Sequence, residues 1–471
     1  MGQTYIDLVY YKEITFIVVA VAILALLVLP RSILGLYTLW RLKRGGLFMR
    51  YEPQPSSVVV LQTVYRENPE VFEEALRGLR SSLEKCASKY LIMCVIDAAN
   101  DFPERNAELL AIAQKYGARV FMTNATSKRK NLRNAVAHLK ETGEWNEYEF
   151  ALLADSDSYA TTPGDRIVAE LLRPFSDPDI GGVTTAQRLT NVDTKLQRIL
   201  DWLEDARIGS SMATGTLFGQ VMCLPGRMYM IRSHVLTDWM DTLVNETWRV
   251  PKYSWRWPFV RFVNVHAHAG DDRRVTMRVQ SLGYKTVMNP YATCVTTMPP
   301  TFREVCKVFI RWATSSQWLT IISLKHLWFW QRPFQVYQGL GDILITLLAT
   351  YLPLRMLYLF FFGDRMLLIP LTQWLVISFF GILFAFGFRQ SWHLVRHWRD
   401  IALLPRFILC ISFWQYLRLI PWVNPGRVSV WGTRKGADET GKKEMFFIPA
   451  SEWLTIIRDT GYTNREVRKG D

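Results

Sequence analysis

Two clusters of aspartates, each in a setting suited to chemistry, stand out in this chain. Asp155-Ser156-Asp157 comes after the strand-like apolar run Tyr148-Glu149-Phe150-Ala151-Leu152-Leu153-Ala154, and Gly270-Asp271-Asp272-Arg273 lies downstream, with Arg311-Trp312 after it. Carboxylates just past a buried strand cost desolvation energy unless a cation or a proton partners them. A D-x-D at such a place can hold a hard divalent cation, which in turn holds a diphosphate. A surface turn is the plain alternative for a lone tripeptide. The second cluster supplies a separate carboxylate for base chemistry, with Asp272 and its neighbour Asp271 as candidates.

The elements that must position these groups read as alternating strands and helices. Apolar runs predict strands over Ser57–Leu61, Leu91–Ile96, Ala118–Met122 and Tyr148–Leu153. Helical periodicity falls over Pro69–Lys85, Pro103–Tyr116 and Arg129–Lys140. That order predicts an α/β domain with a mostly parallel sheet, whose ligands bind beyond the carboxyl ends of the strands. Tyr65, Glu67, Asp97 and Asp155 all sit just past predicted strand ends, so one crevice can gather them. Each alone also fits a turn residue or a helix cap. Ser127-Lys128-Arg129-Lys130 opens a predicted helix, and the cations and free N–H groups of Lys128 and Arg129 could meet phosphate there. A solvated basic face is the alternative.

The rest of the composition points to lipid. The chain has 471 residues, a net charge of +14, 49% hydrophobic residues and 18 Trp. Its cations are not interleaved with exposed aromatics as a nucleic-acid groove requires, so no nucleic-acid partner is expected. Ile14–Leu29 and Ile33–Trp40 are long enough together to span the membrane, and Arg41, Lys43, Arg44 and Arg50 then place the next domain in the cytosol. Val336–Phe362 and Met366–Phe388 form a second apolar pair joined by Gly363-Asp364-Arg365. Ile401–Val423 carries Pro405, Arg406, Arg418 and Pro421, which predicts a kinked or re-entrant segment rather than a full crossing. Phe302–Trp312 reads as an amphipathic interface helix. Six scattered Cys without a C-x-x-C spacing argue against a disulfide framework or a structural zinc. These features divide the chain into a membrane helix over 1–40, a cytosolic domain over 41–312, interface and membrane helices over 313–423, and a cytosolic tail over 424–471.

Taken in order, Asp97, Asp155-x-Asp157, Gly270-Asp271-Asp272-Arg273, Arg311-Trp312 and Trp431-Gly432-Thr433-Arg434 resemble the membrane-embedded, processive family 2 glycosyltransferases: hyaluronan, cellulose, chitin and alginate synthases. GDDR and WGTR look most like hyaluronan synthases. Gly181-Gly182-Val183-Thr184-Thr185 and Gly226-Arg227-Met228 look more like the alginate polymerase subunit. Val308 stands where the family's Q-x-x-R-W motif has Gln. The resemblance implies a GT-A fold plus a helical membrane region, an inner-membrane location, and inverting transfer from a nucleotide sugar, a UDP-sugar first, to a growing polysaccharide. It implies nucleoside contacts from Tyr65, Glu67 and Asp97. Asp155 would serve the diphosphate, as would Asp157 through Mn²⁺ or Mg²⁺. Asp272 would be the base, Arg311 would face the diphosphate, Trp312 would stack on the acceptor sugar, and Trp431 and Arg434 would close over the nucleotide. Alginate- or capsule-type synthesis and a non-processive lipid-linked transfer are the alternatives. A receptor or transporter that only senses nucleotide sugars would leave Asp272 and Trp312 idle.

Overall fold

Strand β1 (Ser56–Val64) is dominated by β-branched and apolar residues, and its alternation supplies both faces of a sheet. Val58, Val60 and Val64 join Phe72, Leu76 and Leu79 of helix α2 (Pro69–Cys86) in one layer. Val59 and Leu61 join Leu132, Val136 and Leu139 of α4 (Lys128–Glu141) in the other. Burying each such side chain contributes about 1.5–3 kcal/mol. Asn68 caps α2 by accepting from the Glu70 N–H at 2.9 Å, and Pro69 starts it. The computed structural model describes residues 2–65, 67–98, 103–125, 127–190, 192–254, 257–266, 270–362, 387–423 and 447–460.

The sheet runs on through β2 (Ala87–Asp97), α3 (Pro103–Lys115), β3 (Arg119–Thr123) and β4 (Phe150–Asp155). β5 (Ser158–Ala160), α5 (Ile167–Leu172) and β6 (Ile180–Leu189) come next. The helical stretch α6 (Lys195–Arg207), a π-turn (Ile208–Met212) and α7 (Ala213–Phe218) leads to β7 (Met228–Arg232) and α8 (Met240–Val244). β8 (Thr247–Ser254) and β9 (Trp257–His266) form a separate hairpin, and α9 (Asp271–Ser281) and β10 (Lys285–Thr296) complete the domain. Strand order is β11-β3-β2-β1-β4-β7-β6-β10-β5, where β11 is Phe447–Pro449.

The sheet is mixed rather than mostly parallel. β3, β2, β1 and β4 are parallel neighbours, as are β6 and β10, but β7 runs antiparallel between β4 and β6, and β5 and β11 are antiparallel edges. Strand periodicity reports which face is buried and carries no sign of direction, so the reversed β7 was not readable from it.

Helix α1 (Gly2–Lys43) is continuous through Pro30. It crosses the π-turn backbone against backbone: a side chain on Gly35 would strike the Gly209 carbonyl and lie 2.9 Å from that of Ser210. α10 (Phe302–Ser323) does not stop at Trp312, so the boundary expected there falls inside a helix. Its second half buries Trp318 and Leu319 against the β8–β9 hairpin, which explains the extension. α11 (Leu327–Trp330) and α12 (Pro333–Phe362) come after it, the latter containing the expected Val336–Phe362 stretch. Residues 387–396 are helical (α13). Ile401–Val423 is segmented into a 3-10 turn (Trp398–Leu403), α14 (Leu404–Leu417) and α15 (Ile420–Val423). Most of the Met366–Phe388 stretch lies outside the described residues. Two stretches among the described residues, Val18–Arg50 and Trp398–Trp422, are long and apolar enough to cross a membrane.

After α15 the chain returns to the sheet. Phe447 stacks on Phe121 at 4.7 Å, and Ala450 and Trp453 of α16 (Ala450–Thr460) enter the core. The C-terminal residues 447–460 therefore lie on the same side of any membrane as the α/β domain.

Candidate active site

Parallel register brings the carboxyl ends of four strands to one edge. Thr63 pairs with Asp155 and with Val95, and Asp97 with Thr123. Tyr65, Asp97 and Asp155 thereby come to one edge of the sheet, and Glu67 joins Asp155's turn there through Ser156. Ser156 turns inward: its hydroxyl reaches the Thr63 carbonyl at 3.0 Å and Glu67 Oε1 at 2.7 Å. The middle residue of D-x-D thus locks the turn to β1 and leaves Asp155 and Asp157 to either side.

Lys128, the first residue of α4, donates to Asp155 Oδ1 at 2.5 Å. Burial alone would lower its pKa, but the charges of Asp155 and Asp272 outweigh this and raise it, so the ammonium persists. The same lysine therefore sits in the fields of the D-x-D cluster and of Asp272. Glu67 is pushed up to about 7, chiefly by burial and then by Asp157. Asp157 is pushed up to about 6, by burial first and Asp155 second, with Arg227 and Lys128 opposing. Glu67 and Asp157, crowded beside Asp155 and with raised proton affinity, suit a divalent cation, which would relieve their repulsion.

The second cluster is brought in by glycine. Gly270, at φ +84°, caps the start of α9, and a side chain there would lie 2.7 Å from Ser315 Cβ of α10. Asp272 then lies against Gly226, whose N–H donates to it. The Gly226 carbonyl accepts the Asp155 N–H at 3.1 Å, so one residue ties both clusters together. Asp272 is pushed up to about 6, first by burial, then by the net effect of Lys128 pulling down and Asp155 and Asp271 pushing up. A carboxylate with that value is ionised at neutral pH and still basic enough to take a proton.

Some expected residues point elsewhere. Arg129 does not face the crevice; it is 2% exposed on the inner side of α4, ion-paired with Asp271, 3.5 Å from Glu246 and donating to the Leu243 carbonyl at 3.0 Å. Asp271 is buried in that pairing, so the two residues brace the start of α9 rather than offering a phosphate contact and a base. Trp312 is 38% exposed, with its ring 5.6 Å from Phe309. Arg311 is its half-buried neighbour on α10. Trp431 and Arg434 lie outside the described residues. Sequence reasoning quoted Ser156 and Gly226 without giving either a role, and missed the ion chain Arg227–Glu204–Arg207, with contacts of 3.2 and 2.6 Å around the buried Glu204. Gly226-Arg227, a glycine and a cation just before a buried strand, was the available signal.

Beside the crevice, a cavity of about 320 Å³ opens among α1, α6, α10, α12, α13 and α14. Trp312 lies on its wall, along with Arg31, Arg207, Arg389, Arg418 and one acid, Asp342. Arg31 pairs with Asp342 at 3.1 Å. Several buried polar atoms here have no partner among the described residues: Gln338 Oε1, Gln415 Oε1, Arg418 Nε and both amide atoms of Gln390.

Residues 56–315 match the glycosyltransferase-like family 2. The chain belongs to that family. It is therefore a glycosyltransferase, with a GT-A-like α/β fold. It is 26% identical over 276 residues to an N-acetylglucosaminyltransferase of Rhizobium leguminosarum bv. viciae, covering 58% of this chain and 59% of that one. It is 23% identical over 352 residues to hyaluronan synthase 3 of Mus musculus, covering 65% of this chain and 58% of that one. A type 2 glycosyltransferase of Gibberella zeae matches over 414 residues at 24% identity, covering 85% and 72%. The chain thus spans about six tenths of the length of the rhizobial and murine relatives. Among solved structures, a mannosyltransferase from Pyrobaculum calidifontis, in complex with GDP-Man and Mn²⁺, superposes with a TM-score of 0.50 at 15% identity, over 81% of this chain and 99% of that one. That likeness concerns the fold.

Proposed function

We propose that the protein is a processive, inverting polysaccharide synthase that takes nucleotide sugars, UDP-sugars foremost, and passes its β-linked product through its own membrane helices. The observation that carries this reading is the polar cavity beside the crevice. A lining of arginine, glutamine and tryptophan among apolar helices, with unpartnered buried amides, costs stability unless a hydroxyl-rich guest or water meets it. Trp312 offers the flat ring face that sugar C–H groups pack on. The name of the rhizobial relative supports an N-acetylglucosamine donor among those to be tried.

In the reaction the acceptor hydroxyl oxygen bonds to the anomeric carbon and its proton passes to the Asp272 carboxylate. The bond from that carbon to the diphosphate breaks, and the diphosphate leaves with the electron pair. Tyr65, Glu67 and Asp97 hold the nucleoside, Asp155 and Lys128 orient the diphosphate, and Arg311 faces its charge. Asp157 is the residue that would hold Mn²⁺ or Mg²⁺, which supplies charge neutralisation to the leaving group. Trp431 and Arg434 belong to the loop that would cover the nucleotide. The domain on the catalytic side is cytosolic, and the chain crosses the inner membrane more than once.

The experiment is polymer analysis after incubating purified protein with a panel of UDP- and GDP-sugars, with and without Mn²⁺ or Mg²⁺. A long product made only with metal supports the reading. Products one sugar longer than a lipid acceptor would assign a non-processive lipid-linked transferase, and full activity in excess EDTA would remove the metal. A GDP-linked uronate as sole donor would shift the reading to an alginate-type synthase.

A further inference from the structure

The proposed reaction leaves one charged surface without a use. It lies where α13 gives way to the 3-10 turn Trp398–Leu403 and α14. A cavity of about 380 Å³ opens there, with Arg198, Arg396, His397 and Arg399 on its wall beside Asp201 and Asp400. Most of these charges are spoken for. Arg396 donates to both oxygens of Asp205 at 3.0 Å, Arg198 pairs with Asp400, and His393 bridges Asp205 and Asp400 at 2.9 and 3.0 Å. Arg399 is different. It is exposed and meets only the Trp398 ring, 5.8 Å from its centroid, with no carboxylate partner among the described residues. Arg406, just along α14, is likewise exposed with no ion pair among the described residues.

Large apolar side chains ring this opening in the wrong place for a water-facing surface. Val395 is 83% exposed, Trp398 69% and Ile401 57%, and the stripe continues along α14 through Leu409 at 70%. Guanidinium groups without a carboxylate at the end of such a stripe suit the boundary between lipid headgroups and acyl chains. α14 packs against α10, with Trp414 stacked on Phe309 at 4.3 Å, which sets the opening beside the helix that reads as interfacial.

A cation does not suit the site. Asp205, His393 and His397 bring ligand atoms within 4.8 Å of one another, but Arg396 and Arg188, the latter at 3.2 Å, already neutralise Asp205. A metal ion would meet that positive field. We propose instead that the cavity binds the phosphate of an anionic phospholipid headgroup through Arg399, with Arg396 and His397 behind it and the acyl chains along Ile401 and Leu409. The apolar rim is what favours a lipid over a soluble phosphate. The site rests on the proposed membrane residence and is independent of polymerisation.

The test uses full-length protein in mixed micelles of phosphatidylcholine and phosphatidylglycerol, with retained lipid counted by native mass spectrometry. Phosphatidylglycerol should be kept in preference, and Arg399→Gln should cut its retention roughly tenfold, as expected for one charge-assisted contact. Donor hydrolysis should be unchanged in that variant, since exposed Arg399 touches neither crevice nor core. Equal retention of the two lipids, or undiminished retention by Arg399→Gln, would overturn the site. Displacement of the lipid by millimolar inorganic phosphate would reassign it to a soluble anion. A protein that makes no polymer but still selects phosphatidylglycerol would overturn the proposed function alone and support the lipid site.

Discussion

In the crevice at the strand ends, polar groups are held in place by one another. Lys128 takes Asp155, Ser156 takes Glu67, Gly226 takes Asp272 with its N–H and Asp155 with its carbonyl, and Arg129 takes Asp271. In the helical collar around the neighbouring cavity, Gln338, Gln390, Gln415 and Arg418 bury polar atoms that meet no partner among the described residues. The crevice is arranged before its ligand arrives, as a site that stabilises a developing charge must be. The collar leaves hydrogen-bonding capacity unspent, which under the proposed function would serve a sliding polysaccharide. Damage to the crevice should therefore abolish chemistry, whereas damage to the collar should change the product.

The largest effect is expected at Asp272. Asp272→Asn keeps the shape and removes the base, so turnover should fall by about 10²–10⁴-fold while nucleotide-sugar binding persists. Isothermal titration beside a turnover assay checks this, and near-normal synthesis by the variant would end the assignment. Gly226→Ala tests the tie between the two clusters. Its new methyl would lie 2.5 Å from Asp272 Oδ1 and 2.8 Å from Cγ, so the carboxylate must move. A displacement on the order of 1 Å can cost about 100-fold in turnover. Unchanged turnover in that variant would mean that the crevice tolerates movement and that its arrangement is not what sets the rate.

The pH profile separates the regions without mutation. Asp272 and Asp157, both raised to about 6, must be ionised to act, so activity is full well above that value and is lost as pH falls through it. With two such groups the acid limb of kcat/KM should be steeper than tenfold per pH unit. Trp312→Ala belongs to the collar: product length should fall several-fold while donor hydrolysis stays near normal, the loss being roughly that of one stacking contact. Size chromatography of the product decides, and normal-length polymer would reduce Trp312 to an anchor of its helix. The smallest effect is expected for Phe447→Ala, on the outermost strand of the sheet, two strands from Asp97. Losing the stack on Phe121 should cost about 1 kcal/mol of stability, read as a lower Tm, with turnover unmoved.

How much of the molecule was legible in its sequence divides along the same line. The first four strands were found because buried strands of a parallel sheet read as continuous apolar runs. The ends of β1, β2 and β4 then placed Tyr65, Asp97 and Asp155 correctly at one edge. Arg129 misled because a helix start offers cations to phosphate only from its outer face, and one residue past Lys128 the helix has turned inward. The Gly226–Asp272 contact joins residues with no local pattern in common. The collar was least legible, because Arg31 and Asp342 meet across 311 residues and nothing in either apolar run says that they will.

The edge position of β11 has a consequence in time. β3 ends at Thr123 and its partner starts at Phe447, so 447 − 123 = 324 residues must emerge from the ribosome before the edge is covered. At roughly 5–20 residues per second that is about 16–65 s. Throughout that interval a buried-type strand offers bare N–H and C=O groups to any neighbouring nascent chain, the setting in which edge-to-edge aggregation starts. Crowded polysomes and missing C-termini should therefore be the conditions under which this enzyme is lost to misassembly.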